Sequence, residues 1–435
     1  MEHTGQATQA FDIAAMLVVA AALLGYVNHH YIRLPHVIGL TVMGAFFALA
    51  MMLANALLPG ITIDDWVARL LERMDFTETL LEGMLSFLLF AGALHVDLER
   101  LKRDWVPVLL LSTVGVLIST ALVGALTWGL GTLLSLPIAP IWYFVFGALI
   151  SPTDPVSVLG VLKEENVPAS LQSAVAGESL FNDGVGIVVF TILLGAAVTG
   201  ADFSVAEGAR LFAIEAGGGV LLGLVIGWLG FRALASMDEY SLEVLITLAV
   251  VMGGYALASN VHISGPLAMA VAGLIIGNQG FAHAMSDQTR DYVHKFWELV
   301  DEILNSVLFL LIGLEMIALA PGRGHLVIGL LAIPIALIAR GVSVGAMVNV
   351  VPGAKLDAPG ARRVLWWGGL RGGISIALVL ALPEGTARNL LLAATFAVVL
   401  FSVLVQRATL GKVIERLQAR HLPALEPEPA EPTVH

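Results

Sequence analysis

Apolar residues run along this chain in blocks of about 20, long enough for a helix rising 1.5 Å per residue to cross a hydrocarbon core roughly 30 Å thick. Thirteen blocks are found, at 10–31, 33–57, 76–96, 105–134, 139–162, 169–199, 207–231, 241–259, 263–279, 292–319, 325–350, 364–383 and 387–406. The pattern predicts an all-α polytopic membrane protein of about 13 transmembrane helices. Lys and Arg test the count. With alternating sides, fifteen fall on the side that holds the C-terminus and five on the other, while Arg340 and Arg371 lie inside spans. Basic loops are retained in the cytoplasm, so the C-terminus is expected there and, with an odd number of spans, the N-terminus outside. No Lys or Arg precedes the first block, which starts at Phe11, so the basic flank of a cleavable signal peptide is missing and the first span is expected to remain.

Composition agrees. Of 435 residues, 58% are hydrophobic and 13% charged, against about a quarter charged in ordinary soluble domains. The absence of cysteine excludes disulfides, zinc-thiolate sites and iron-sulfur clusters. The net charge of -12 draws partly on the tail "PALEPEPAEPTVH", whose proline and acid content predicts disorder. No phosphate-binding loop or nucleophile triad is found, so neither ATP coupling nor hydrolysis is expected, and no cofactor or nucleic-acid partner is implied.

Charge inside the spans is the informative remainder, because a charged group near the bilayer centre costs about 2.5–3.5 kcal/mol on insertion scales and is by default paired, hydrated or functional. Asp154, Glu178, Asp183, Arg340 and Arg371 qualify. In "GALISPTDPVSVLG", Pro152 and Pro155 bracket Thr153 and Asp154, and each removes a backbone donor, so span 5 is predicted to break in its middle. In "VLWWGGLRGGISIALVL", Gly368, Gly369, Gly372 and Gly373 surround Arg371, and span 12 is predicted to break as well. The offset of seven fits two repeats, spans 1–6 and 8–13, of opposite membrane orientation. Paired interrupted helices in corresponding positions of inverted repeats point to the binding site of a secondary transporter, placed where the two cross.

Span 6 supplies the titratable group. On a helix, Ser179 and Asp183 share a face with Asn182 beside them, while Glu178 lies about 140° round from Asp183. Asp183 is about 20 Å from either helix end, at midplane depth. Oxygens of Asp183, Ser179 and Asn182, with main-chain oxygens near Thr153, would suit a small hard monovalent cation. Glu178, facing elsewhere, could be neutralised by Arg340 on span 11. Two bland readings compete: Asp154 as a cap on the second half-helix, and the buried charges as an ion network serving fold specificity alone.

The runs "SPTDPVSVL", "GESLFNDGVGIVVF", "IARGVSV" and "WWGGLRGGISIALVL", in this order and spacing, resemble the monovalent cation:proton antiporter family, which includes prokaryotic electroneutral Na+/H+ antiporters and the animal and plant sodium/proton exchangers. The resemblance covers about residues 30–406. It implies thirteen spans, a homodimer in the cell membrane, and a mobile core moving against a dimerisation part. The parts then fall at 1–104 (interface, spans 1–3), 105–200 (core, spans 4–6), 201–321 (interface, spans 7–10), 322–406 (core, spans 11–13) and 407–435 (cytoplasmic tail). It further implies that Asp183 binds the ion or the proton, that Asn182 accompanies it, and that Ser179, Thr153 and Asp154 contribute ligands or shape the crossing. Glu178 is implied to pair with Arg340. Many relatives carry an acid in the third span where this chain has Ala91, in "LLFAGALHVDL", which puts a ligand or gate there in doubt.

One carboxylate next to a neutral asparagine can hold one cation or one proton, which makes the predicted exchange of Na+ (or Li+ or K+) for H+ electroneutral. A passive channel, or an anion transporter using Arg340 and Arg371, is the alternative, since half-helix N-termini also hold anions; a membrane scaffold without transport is a third. Glu78 and Glu82 of span 3, and Glu298, Asp301, Glu302, Asn305 and Glu315 of span 10, read either as an acidic entrance that concentrates cations or as solvated helix ends. The adjacent His29 and His30 diverge on a helix and make poor metal ligands; pH sensing is the other use for them. Gly219, Gly223 and Gly227 are spaced for helix packing, with an interface between protomers as one possibility.

Overall fold

The computed structural model describes residues 15, 18–32, 43, 78–103, 105–165, 167–200, 204–280, 286–319, 323–350 and 360–421. All regular structure among them is helical. Residues 18–27 are helical and end in a π-helical turn, Asn28–Ile32. The following helices are α1 (Glu78–Leu94), α2 (Leu98–Arg103), α3 (Trp105–Ser112), α4 (Val114–Leu133), α5 (Pro140–Ile150), α6 (Pro155–Glu164), α7 (Ala169–Thr199) and α8 (Val205–Leu234). After them come α9 (Tyr240–Asn260), α10 (Gly265–Ile275), α11 (Asp287–Leu319), α12 (Arg323–Val350), α13 (Ala361–Trp367), α14 (Gly373–Leu380), α15 (Thr386–Phe401) and α16 (Arg407–His421). Among the described residues, six helical runs are long and apolar enough to cross a membrane, including residues 105–133, 171–199 and 324–347. From the third block onward each predicted span coincides with a helix or a broken pair. Span 2 and the tail beyond His421 lie outside the described residues.

Both predicted breaks are present. Pro155 opens α6 after four residues without helix, 151–154, and the second interruption occupies residues 368–372 between α13 and α14. Proline at a helix's first position costs nothing, because that N–H has no intrahelical partner. The same residue type that ends α5 therefore starts α6. The unbroken α7, 31 residues long, runs beside them and packs against α5, α3 and α6.

A second group of helices is built on close backbone approach. α10 packs against α1 and α8, and it is buried from Gly265 to Leu274. A Cβ on Gly223 would meet the Ala268 carbonyl and stand 2.8 Å from Val271 Cβ, while one on Gly227 would stand 2.9 Å from Ala272 Cα. The glycine stripe thus provides the expected helix packing, and it does so inside one chain, joining α8 to α10. Gly273 and Gly277 similarly lie on the backbone of Phe90 and Leu94 in α1. Asn278 fixes this corner: its amide donates to the carbonyls of Val96 and Leu274 at 2.8 Å each and accepts from the Leu98 N–H at 2.7 Å.

Gly223→Val should force α8 from α10 and cost about 1–3 kcal/mol, the range for overpacking. Gly253→Ala, where a Cβ meets open space, is the control. Thermal unfolding of the detergent-purified protein, followed by size-exclusion chromatography, should lower the midpoint for the first and leave the second at or above wild type.

Candidate functional site

The two breaks cross and satisfy one another's backbone. The Asp154 N–H donates to the Leu370 carbonyl at 2.8 Å, and Arg371 Nη1 donates to the carbonyls of Ser151 and Pro152 at 2.9 Å each. The Arg371 guanidinium therefore sits at the carbonyl end of α5, where the helix dipole favours positive charge. Arg340 does the same for the other broken helix, its Nε and Nη2 donating to the Leu365 carbonyl at 3.3 and 3.1 Å near the end of α13. Asp154 adjoins the start of α6, the end that favours an acid. Two glycines make room for this crossing. A Cβ at Gly372 would stand 2.7–2.9 Å from Asp154 side-chain atoms, and one at Gly369 would stand 2.8 Å from Arg340 Nε.

Glu178 and Arg340 form a two-pronged ion pair. Nη1 reaches Oε1 and Nη2 reaches Oε2, the latter at 2.9 Å, and the Glu178 side chain is buried. Glu178 is thereby turned from Asp183, as their 140° separation on the helix requires. Asn182 links the pair to the break: its Nδ2 lies 3.5 Å from Glu178 Oε1 and donates to Thr153 Oγ1 at 2.8 Å, while its Oδ1 accepts the Thr153 N–H at 3.2 Å. Ser179 and Thr153 hydroxyls share a hydrogen bond of 2.9 Å. Thr153 is held from three directions.

Asp183 is treated differently. It is 1% exposed, and among the described residues neither carboxylate oxygen meets the geometry of a hydrogen bond. It opens on a small pocket lined by Thr153, Asp154, Asp301, Asn305 and Ser375 among polar residues, with Leu88, Leu89 and Gly92 of α1 on the apolar wall. Ser179 and Asn182 do not line this space; they stand behind Thr153. Arg340 and Arg371 do not line it either.

Asp301 and Asn305, which the sequence left between an entrance and a solvated helix end, are in the pocket with Asp183. Their spacing of one turn was the available signal, but which face of α11 meets the crossing is a tertiary fact. Glu298 is exposed, and the side chains of Glu78, Glu82 and Glu315 lie outside the described residues. Ala91 packs among Phe90, Leu94, Val251 and Met269, away from the pocket, so its lack of an acid removes nothing from these walls. His29 and His30 are exposed, and His30 stacks on Tyr26. Among the described residues no group of three His, Cys, Asp or Glu side chains could hold a metal ion.

Comparison with known proteins decides the family. Residues 18–416 match the family described as sodium/hydrogen exchanger, transmembrane. The chain belongs to the sodium/hydrogen exchanger family. It is 45% identical over 413 residues to the Na(+)/H(+) antiporter NhaP of Pseudomonas aeruginosa, covering 94% of this chain and 97% of that one. It is 36% identical to the Na(+)/H(+) antiporter NhaH of Halobacillus dabanensis, over 82% and 87% of the two chains. Its fold matches the sodium proton antiporter MjNhaP1 from Methanocaldococcus jannaschii at pH 8 with a TM-score of 0.75 and 20% identity, over 95% of this exchanger-family chain and 99% of that one.

Breaking the buried pair by Glu178→Leu or by Arg340→Leu leaves the other charge uncompensated and should cost about 3–5 kcal/mol, whereas making both changes together should cost less than the sum of the two single changes. The recovery should stay partial, because Arg340 also caps Leu365. Unfolding midpoints of the two single variants and the double variant give the coupling directly.

Proposed function

We propose that this protein is a secondary antiporter of the cell membrane that exchanges a monovalent cation, Na+ foremost and Li+ or K+ as alternatives, for H+. The observation that carries this reading is the Asp183 carboxylate, buried at midplane depth, unpartnered at both oxygens and facing a pocket between two crossed helix breaks. A buried charge without protein partners is costly, so the group must hold something, either a proton or a cation. The names of the relatives specify the pair.

In this reading the cation takes oxygens from Asp183 and Thr153, with Ser179 and Asn182 holding Thr153 in place, and Asp154 lies at the pocket wall. Proton and cation compete for one carboxylate, and the loaded site carries the same charge with either. Exchange is then electroneutral. The empty, ionised site is too costly to carry across, which couples the two fluxes. The core parts, 105–200 and 322–406, carry the site against the interface parts, 1–104 and 201–321, in a homodimer. Arg340 and Arg371 are engaged with Glu178 and with helix-end carbonyls and do not line the pocket, so the anion-transport alternative has no cationic group to use there.

Orientation follows from the basic loops. The pocket is walled by the later half of α1, which runs on to Arg100, Lys102 and Arg103, and by the middle of α11, where the exposed Glu298 continues the same face towards Arg290 and Lys295. These ends are cytoplasmic by the distribution of Lys and Arg, with the C-terminus on the same side and the N-terminus outside. The arrangement described is therefore inward-facing.

Purified protein in sealed liposomes, loaded with a pH-sensitive dye, should show proton movement on addition of Na+ or Li+ but not choline, with the same rate whether the membrane potential is clamped or free. Asp183→Asn should bring the flux down to that of protein-free liposomes. Wild-type flux surviving in Asp183→Asn sinks the competition mechanism, and flux that follows the potential sinks electroneutrality.

A further inference from the structure

We propose that Asp301, with Asn305 one turn further along α11, forms a second cation-binding station at the cytoplasmic mouth of the pocket, where a partly hydrated monovalent cation is captured before it moves on to Asp183. This rests on the antiport reading and on its inward-facing orientation.

Three observations support the station. Asp301 and Asn305 line the same space as Asp183. Along α11, Glu298, Asp301 and Asn305 stand three and four residues apart, on one face. The environment changes in steps along that face: Glu298 is exposed, Asp301 and Asn305 are half-buried, and Asp183 beyond them is buried. Water can then be exchanged for protein oxygens in stages, which is easier for a hard cation than a single full dehydration. Asn305 is set at the start of α14 by close packing, since a Cβ on Gly373 would stand 2.5 Å from Asn305 Oδ1. A solvated helix end would have neither the half-burial nor the position over the second break. The unpartnered oxygens of Asp183 mark the deep end of this pocket as the place where a ligand is missing, and Asp301 is the acidic side chain of α11 that faces it.

Asp301 belongs to an interface part and Asp183 to a core part in the proposed division, so transport motion separates them. The station accordingly serves one face of the membrane. It sets apparent affinity for the cation from the cytoplasm and leaves the affinity from outside to other groups.

The test is the Na+ dependence of dye-reported proton flux in proteoliposomes of fixed orientation, measured from each face for wild type, Asp301→Asn, Asp301→Glu and Asp183→Asn. Asp301→Asn should raise the cytoplasmic-side KM about tenfold, the low end of what focused charge supplies, with the effect on KM exceeding that on kcat. The outside KM should not move, and Asp301→Glu should recover most of the cytoplasmic affinity. An unchanged cytoplasmic KM, an equal rise at both faces, or Asp301→Glu behaving like Asp301→Asn each overturns the station while antiport stands. Absence of cation-coupled flux in wild type removes the transport reading and the station with it, and survival of that flux in Asp183→Asn removes Asp183 as the destination and the station as the step before it.

Discussion

Backbone polar groups freed inside a membrane must find partners, and this requirement organises the protein. A helix broken at midplane leaves N–H and C=O groups with no water to take them. Here the partners come from the other break and from two arginines. The Asp154 N–H uses the Leu370 carbonyl, Arg371 takes the carbonyls that α5 leaves, and Arg340 takes the Leu365 carbonyl of α13. Each arginine solves two problems together. It satisfies acceptors, and it places positive charge at the carbonyl end of a short helix.

Those positive charges in turn account for where the acids stand. Glu178 neutralises Arg340 through two hydrogen bonds, so that pair is closed. Arg371 is spent on main-chain oxygens and keeps its charge within reach of Asp183 without bonding to it. Two neighbouring acids on α7 thereby have opposite circumstances, one saturated and one open, although they stand only five positions apart. The 100° step of the helix produces the difference.

Much of this was legible in the sequence, because the strongest signals were local. Apolar blocks, prolines at 152 and 155 and glycines at 368, 369, 372 and 373 act on their own backbone, and the breaks fall where they stand. The separation of Glu178 from Asp183 followed from helical geometry alone. What failed to show was tertiary. The partner of the Gly219, Gly223 and Gly227 stripe is α10, and nothing in the spacing of three glycines distinguishes a helix of the same chain from one of another. Asn182 and Ser179 were legible as neighbours of the site but not as supports of Thr153, because that depends on which side of α7 the broken helix lies. Asp301 and Asn305 were ambiguous for the same reason: α11 is polar over its first half, and only its contact with α14 and α1 selects the face that enters the pocket.

The contrast between Thr153 and Asp183 states what an exchanging site needs. Thr153 is bound by Asn182 through both its N–H and its hydroxyl, and by Ser179 as well, so its oxygen is fixed in space before any ion arrives. Fixing a neutral ligand is cheap, because its hydrogen bonds offset the loss of water. A carboxylate fixed to the same degree by protein donors would be stable as the anion and would have little to gain from a cation or a proton. In the proposed antiport, leaving Asp183 without such donors makes its charged, empty form the unstable one, and that instability obliges the group to load before it moves. The supports around Thr153 and the lack of them around Asp183 are two halves of a single arrangement.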